Sequence, residues 1–282
     1  MCSFTPNPRS KVKRGAKRAV FDRERVYAIL DANMVASIAF ANDGDETFTA
    51  PSEAGAGVYP TVLPTGYVRD GDSLLFHGKN SSLLQKRLAA GVPVCVSVFA
   101  LDALVCGKSA MHHSVNYRAV VVYGRAEPVL VDAEKRRALE VITDGLTWPG
   151  RFAECRPMNA AEVAATLVTR LSLRDGDVSC KVREHPPSDD DADLAYPCWA
   201  GNVPLRTVSL TPLDAPHNNS GIVPPTAAAP LTRKGLVTPL AVLAKDELKA
   251  TTKVPLTSEL AFWRTVALAL AALLVAIVLS RP

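Results

Sequence analysis

The sequence predicts a mainly β domain that forms a small barrel rather than a doubly wound sheet. Short strand-like segments follow one another closely, and Gly, Asp and Pro residues separate them. Helical patterns are few and do not alternate regularly with the strands, as they do in doubly wound folds. With 282 residues, of which 48% are apolar, the chain is long enough to bury a packed core.

Six strands are expected in the first half of the chain. Their predicted ranges are Ala36–Ala41, Gly57–Val68, Ser73–His77, Val92–Val98, Ala103–Ala110 and Arg118–Pro128. The pair Asp70-Gly71 predicts a hairpin turn between the second and the third. The polar, glycine-rich stretch from Asn42 to Gly57 predicts a loop.

Four helices are expected between the strands. Their predicted ranges are Asp22–Asp31, Leu83–Leu88, Asp132–Ile142 and Asn159–Ala164, and a strand at Thr166–Leu173 follows the last. Aspartate is a favourable N-cap residue, so Asp22 and Asp132 mark two of the helix starts. Leu84 and Leu88 lie four residues apart and therefore share one helical face.

Composition divides the chain into four segments: a basic arm (1–20), the barrel domain (21–206), a linker rich in Pro, Thr and Ala (207–259), and an apolar helix (260–280). The net charge of +4 is too small to indicate a nucleic-acid partner, because the excess is concentrated between Arg9 and Arg25. Three interpretations of the arm stay open: a solvated tail, a targeting signal, or a segment that folds over an anionic cofactor.

The apolar segment Leu260–Leu279 predicts a membrane-spanning helix, since 20 residues span about 30 Å. Trp263 and Arg264 suit one membrane interface. Such a span inserts after translation, so we expect a single-pass, tail-anchored protein whose domain faces the cytosol, in a membrane that the sequence does not identify. The alternative is a helix that docks on the domain.

The start of the second helix is a candidate anion site. Lys79, Asn80, Ser81 and Ser82 lie directly before the helix, where free backbone N–H groups and the helix dipole favour a phosphate. Because many strand-to-helix turns carry Gly and Ser for capping alone, the residues by themselves leave both interpretations open.

No metal site is expected. The six cysteines show neither C-x-x-C spacing nor a paired spacing with histidine, so zinc and disulfide frameworks are not indicated. The acidic run Asp189–Asp193 has no histidine within it and no calcium-loop pattern, and it is therefore interpreted as a solvated loop.

Several motifs, in this order, resemble flavin-nucleotide-binding proteins of the pyridoxamine 5′-phosphate oxidase-like group, which are related to the nitroimidazole-resistance proteins. The resemblance covers residues 10 to 206. It rests on Tyr-Ala-Ile-Leu-Asp31, Leu-Leu-Phe-His-Gly78, Val-Pro-Val-Cys-Val-Ser-Val98, His112-His-Ser-Val-Asn-Tyr-Arg118 and Cys198-Trp-Ala-Gly-Asn-Val-Pro-Leu205.

The resemblance implies a split barrel that pairs as a homodimer, with FMN in the cleft between two subunits. Backbone along the second strand would flank the flavin ring, and Trp199 would approach it from the partner. Lys79, Ser81 and Ser82 would hold the phosphate, with Arg118 as a second cationic candidate. The expected cofactor-binding residues are Pro60, Thr61, Val62, Leu63, His77, Gly78, Lys79, Ser81, Ser82, His113, Ser114, Asn116, Tyr117, Arg118 and Trp199.

His77 is the candidate catalytic residue, because imidazole titrates near neutrality and a similarly placed histidine adjoins the flavin in nitroimidazole-resistance proteins. A structural role for His77 is the alternative. His112 and His113 face opposite ways if the chain is extended, so only one reaches the cleft, and we favour His113.

The sequence therefore predicts a membrane-tethered FMN-dependent oxidoreductase that passes electrons from a small-molecule donor to a nitroaromatic- or quinone-like acceptor. A non-catalytic flavin or haem carrier is the alternative. Pyridoxamine 5′-phosphate oxidation is less favoured, because Pro60 and Thr65 stand where the oxidases carry basic residues and only Arg206 follows Trp199 before the linker.

Overall fold

Two antiparallel β-sheets form the framework of the structure, a computed structural model that describes residues 3–41, 60–207 and 213–217. The strands are β1 (Val35–Ala41), β2 (Pro60–Gly66), β3 (Val68–Asp70), β4 (Ser73–Lys79), β5 (Pro93–Cys106), β6 (Ser114–Arg125), β7 (Glu127–Pro128), β8 (Thr166–Ser172), β9 (Val178–Arg183) and β10 (Gly201–Pro204). The larger sheet has the order β2-β1-β5-β6-β9 with β10 also paired to β5, and the smaller has the order β3-β4-β8-β7.

Helices flank both sheets, which confirms the predicted mainly β class. They are α1 (Arg23–Asp31), α2 (Leu83–Ala89), α3 (Asp132–Leu146), α4 (Arg151–Glu154) and α5 (Ala160–Ala165). Asp22 caps α1 as predicted, accepting a hydrogen bond from the Arg25 amide at 2.8 Å. The residue before α3 is Val131 and makes no side-chain cap, so Asp132 lies in the first turn rather than at the predicted N-cap.

The smaller sheet separates two hydrophobic cores. One core fills the space between the two sheets and beneath α1, with Ile38, Phe76 and Val96 fully buried. The other lies between the smaller sheet and α3 and includes Leu75 and Val168. Adjacent residues of β4 thus face opposite cores, as the alternation of a strand requires.

The β3–β4 hairpin is the turn that the sequence predicts, with its register displaced by one residue. Asp70 and Ser73 form the closing pair, so Gly71 and Asp72 are the loop residues. Gly71 has a φ of 55°, in the left-handed region that glycine adopts without a steric penalty.

The fifth strand corrects the predicted division into Val92–Val98 and Ala103–Ala110. A single strand runs from Pro93 to Cys106. A β-bulge between Leu101 and Ala103 accommodates the extra residue, Asp102, in the region where the sequence predicts a break between two strands. No Gly or Pro interrupts this stretch, so the ladder continues past Asp102. Residues 110–112 form a short 3-10 helix instead of strand.

Two strands of the structure, β9 and β10, were not predicted from the sequence. Val178, Cys180 and Val182 of β9 alternate with polar residues and are buried, so β9 carried a readable period-two signal. The four-residue β10 carries only a weak signal and is defined by its pairing with Ala103–Cys106.

The described part of the N-terminal arm, from residue 3 to 20, packs on the domain. Phe4 and Ser10 are buried, and Ala19 bridges to Lys181 at the outer edge of β9. The arm therefore covers an otherwise exposed sheet edge.

Among the described residues, no helix combines the length and apolar character that a membrane crossing requires. The predicted span at 260–280 lies outside them, as do the predicted loop at 42–57 and most of the predicted linker.

Gly145 fixes the close approach of α3 to β3, and we expect Gly145→Val to lower the free energy of unfolding by about 1–3 kcal/mol. A Cβ at this position would lie 2.6 Å from Cγ1 of Val68, which is buried and stiff. Chemical denaturation measures the change, and Ala133→Val, at an exposed position of the same helix, is the control. Equal stability of the two variants would contradict this packing.

Candidate functional site

The outer face of the six-stranded sheet, the side turned away from the first core, is the main candidate surface. Val35, Val62, Phe99 and Leu101 lie on it with 58%, 56%, 56% and 40% of their surface exposed. Exposed apolar side chains contiguous across several strands are unusual on a monomer and indicate a binding surface. The β1–β5 register, which pairs Ser37 with Ser97, puts Val35 beside Phe99, and the β1–β2 register pairs Val62 with Ala39 on the same face.

An aromatic pair occupies the centre of the outer face. Phe99 and Tyr117 lie on adjacent strands with their ring centroids 5.9 Å apart. Tyr117 was predicted as a cofactor contact, and the structure places it here. Phe99 was missed, because β5 is an apolar run whose exposed side cannot be distinguished from its buried side by periodicity.

Strand β2 forms one edge of the larger sheet beside this face. Of the four residues predicted here, Val62 points to the outer face, whereas Leu63 packs against the first core and Thr61 is half-buried. Pro60 and Pro64 have no N–H to donate, as is usual for edge strands. In the described sheet the other side of β2 has no partner strand, so its remaining backbone groups are available to a ligand.

His77, the predicted catalytic residue, does not lie on the outer face. It is opposite Val168 and two residues from Leu75, so it faces the core beneath α3. Burial lowers the pKa of His77, and its Nδ1 atom is buried without a hydrogen-bond partner in the described structure. The structure therefore gives His77 a neutral, half-buried environment separate from the outer face.

The lowered pKa of His77 predicts a pH dependence of stability. The unfolded state takes up a proton as pH falls below the ordinary value of 6.5, whereas the folded state does so only at a lower pH. This contribution to stability is therefore complete above that value and is lost as pH falls from it through the lower pKa of the folded state. We expect the difference in unfolding free energy between wild type and His77→Gln to change between pH 8 and pH 5, as urea titrations would show. A constant difference would contradict the assignment.

The residues predicted to bind phosphate lie around the start of α2. The Ser82 hydroxyl accepts a hydrogen bond from the Gln85 amide at 3.4 Å and so acts as the N-cap. Lys79 and Ser81 are exposed and lie at the end of β4 and before the helix. Lys79 and Ser81 therefore remain accessible to an anion, whereas Ser82 is engaged in capping.

Gly78 has a packing reason for being glycine. A Cβ there would lie 2.8 Å from Cγ of Gln85, whose side chain is 2% exposed. The small residue lets α2 approach β4. A glycine that the sequence assigns to cofactor contact is thus explained by helix packing.

The residues at the start of β6 that were predicted to contact the cofactor have different surroundings in the structure. His113 Nδ1 lies 3.1 Å from the Ser109 carbonyl, and Ser114 is exposed. Asn116 is buried and accepts a hydrogen bond from Arg183 at 2.8 Å. These contacts leave Tyr117 as the member of this group on the outer face.

Arg118 forms a bidentate ion pair with Asp102 at the β5 bulge. Its Nε and Nη2 atoms lie 2.9 Å and 2.7 Å from the two carboxylate oxygens, and this pairing raises the pKa of the arginine. A phosphate would have to compete with that carboxylate. Trp199, the remaining predicted residue, is 64% exposed and lies beside Gly201, which pairs with Cys106.

A cleft of about 730 Å³ opens at the end of the sheets beside Pro60. Cys95 and Tyr123 of the outer face form part of its wall, together with Arg9, Arg125 and Arg174. Carboxylates balance two of these cations, since Arg9 pairs with Asp177 at 2.5 Å and Arg174 lies 3.7 Å from Glu127. The cleft is therefore large enough for a ligand but offers little uncompensated positive charge.

Comparison with known proteins identifies the family. The sequence profile described as pyridoxamine 5′-phosphate oxidase matches residues 22–179. The chain belongs to this family, and its two-sheet architecture is consistent with the predicted split barrel. A search of curated proteins gives no match.

Two solved structures are similar over most of the chain. The FAD and haem binding protein from Mycobacterium smegmatis is 37% identical, with a TM-score of 0.66, and the match covers 74% of this chain and 94% of that protein. The flavocytochrome Anf3 from Azotobacter vinelandii is also 37% identical, with a TM-score of 0.68 and coverage of 79% and 95%. Both matches extend beyond the β9 strand at which the family profile ends.

Proposed function

We propose that this protein binds a flavin at the outer face of its six-stranded sheet, between two copies of the chain. The observation that carries this proposal is 37% identity, over about three-quarters of the chain, to a protein named for FAD and haem binding. The flavocytochrome from Azotobacter vinelandii supports it at the same identity.

The residues of the outer face fit the chemistry of a flavin. An isoalloxazine ring needs a flat apolar surface and hydrogen-bonding groups at its rim. Phe99 and Tyr117 offer aromatic surface, and the edge of β2 that has no partner strand in the described sheet offers backbone groups. Lys79 and Ser81, the accessible members of the predicted phosphate set, lie at the end of β4 in the smaller sheet and not on the outer face.

A second copy of the chain is the proposed cover of the outer face. Val35, Val62 and Phe99 each expose more than half of their surface in the single chain. Burying them against a copy would remove apolar area from water and exclude solvent from the ring. In this arrangement Trp199 of one copy would reach the flavin of the other, as the sequence predicts.

The finer proposal is a flavin-dependent reductase of small nitroaromatic- or quinone-like acceptors. A bound flavin supplies reversible uptake of electrons and protons, and the chain would hold it, orient it and exclude water. A proton-transfer role for His77 stays a prediction, although His77 faces the core beneath α3 and is separate from the outer face. The turnover of His77→Gln across pH tests it.

Purification of the full chain tests flavin binding directly. Oxidised flavin gives the protein a yellow colour that a reductant bleaches and an acceptor restores. Chromatography of the cofactor released by denaturation distinguishes FMN, which the sequence predicts, from FAD, which the Mycobacterium smegmatis protein favours. Protein with no flavin, and with no uptake of FMN or FAD, would refute the proposal.

Haem binding is the second candidate, because the name of the Mycobacterium smegmatis protein includes haem and the Azotobacter vinelandii protein is a flavocytochrome. A Soret band in protein isolated from haem-supplemented cells would support this candidate. Its absence after haem titration would refute it, independently of flavin.

Membrane tethering through residues 260–280 is also proposed, on the apolar sequence alone. Fractionation of cells that express the chain, with and without these residues, tests it. Tethering predicts that the full chain resists carbonate extraction and that the shortened chain does not.

A further inference from the structure

The acidic run Asp189–Asp193 lies against the turn that joins β5 to β6. Asp189 accepts a hydrogen bond from the Lys108 amide at 2.6 Å, and its side chain is only 6% exposed. This contact brings the run beside His112, a residue 77 positions earlier in the chain (189 − 112). The run itself contains no histidine, but the fold brings His112 beside it.

The two ring nitrogens of His112 face two different carboxylates. Nδ1 lies 3.6 Å from Asp189 Oδ1, and Nε2 lies 3.8 Å from Asp190 Oδ2. Nδ1 is buried and has no hydrogen bond in the described structure. A metal-ligating histidine usually donates its other ring N–H to a carboxylate, and Asp189 lies near that position, although its Oδ1 atom at 3.6 Å makes no hydrogen bond to Nδ1.

Ligand atoms of His112, Asp190 and Asp193 lie within 4.8 Å of one another. Metal–ligand distances of about 2.0–2.2 Å put ligands of one ion about 3–4 Å apart, so a small contraction would bring the three atoms to one ion. All three residues keep part of their surface open to solvent, and water can complete the coordination.

We propose that His112, Asp190 and Asp193 form a divalent metal site, with Asp189 beside the His112 ring. One imidazole and two carboxylates favour Zn²⁺ and similar first-row ions over Ca²⁺ and Mg²⁺, which take oxygen ligands. This site is independent of the flavin proposal, since none of its residues lies on the outer face.

Metal binding would fasten the segment that carries Trp199. The ammonium group of Lys108 already donates to the carbonyls of Tyr196 at 2.7 Å and Cys198 at 3.0 Å. A metal at His112 would hold the other end of the same segment. Only this consequence for Trp199 rests on the proposed function.

Calorimetric titration of the full chain with Zn²⁺, before and after removal of any flavin, tests the site. We expect saturable binding that His112→Gln and Asp190→Asn each weaken by at least about tenfold, the usual cost of losing a ligand-shell partner. His113→Gln is the matched control and should bind like wild type. The Asp190 side chain is 80% exposed, so Asp190→Asn should fold even if His112→Gln does not.

Zinc binding of equal strength to wild type and Asp190→Asn would overturn the site, as would no binding to wild type. Hydrogen exchange gives a second readout on the flavin-free protein. Zn²⁺ should slow exchange in residues 186–200 of the wild type and leave Asp190→Asn unchanged. Slowing in both proteins would assign the effect to another site and overturn the proposal.

Discussion

Phe99→Asp is expected to convert the proposed flavin-bound dimer into a monomer that retains little flavin. Phe99 is 56% exposed on the outer face and packs only against Tyr117 among the aromatic rings described. In the single chain the substitution costs little, because a carboxylate at this position meets water. At a dimer interface it would bury an unpaired charge, so we expect affinity between copies to fall by more than about tenfold.

Light scattering after gel filtration gives the mass, and absorbance gives the flavin per chain. Leu130→Asp is the control, since Leu130 is 80% exposed and lies between β7 and α3 instead of on the outer face. Unchanged mass and flavin content in Phe99→Asp would move the interface to another surface.

Asp31→Ala is expected to lower the free energy of unfolding by about 3–5 kcal/mol, the cost of leaving a nearly buried charge without its partner. The Arg69 guanidinium donates to both carboxylate oxygens of Asp31 at 2.7 and 2.6 Å, and the two side chains are 15% and 14% exposed. The same guanidinium lies over the Tyr27 ring at 4.4 Å. The pair therefore joins α1 to the β3 strand.

A double-mutant cycle separates the ion pair from the packing. Replacing both partners, as in Asp31→Ala with Arg69→Met, removes the isolated charge and should recover a large part of the lost stability. Denaturant titrations of the four proteins give the coupling. Additive losses would show that the two residues stabilise the fold separately.

Elements with a strong local signal could be predicted from the sequence. The capped helix after Asp22 and the strand β8 lie within one or two residues of their predicted ranges. The division of β5 failed because a bulge at Asp102 resembles a strand end in a one-dimensional pattern. Pairing with distant strands determines whether such a segment forms one strand or two, and this pairing leaves no signal in the local sequence.

The candidate site was predictable only in part. Tyr117 and Val62 share the outer face as a motif-based argument would require, whereas His77 and Leu63 turn toward the interior. Strand direction explains the difference, because alternate residues of one motif face opposite sides. Phe99 and the contact of His112 with the acidic run depend on pairings across the fold, and periodicity does not report them.

The proposed function depends on flavin binding by this chain. The most direct test is to purify the full chain, denature it, and identify and quantify the released chromophore. We expect FMN or FAD in near-stoichiometric amount, lost in Phe99→Asp and kept in Leu130→Asp. A colourless protein that takes up neither flavin would contradict it.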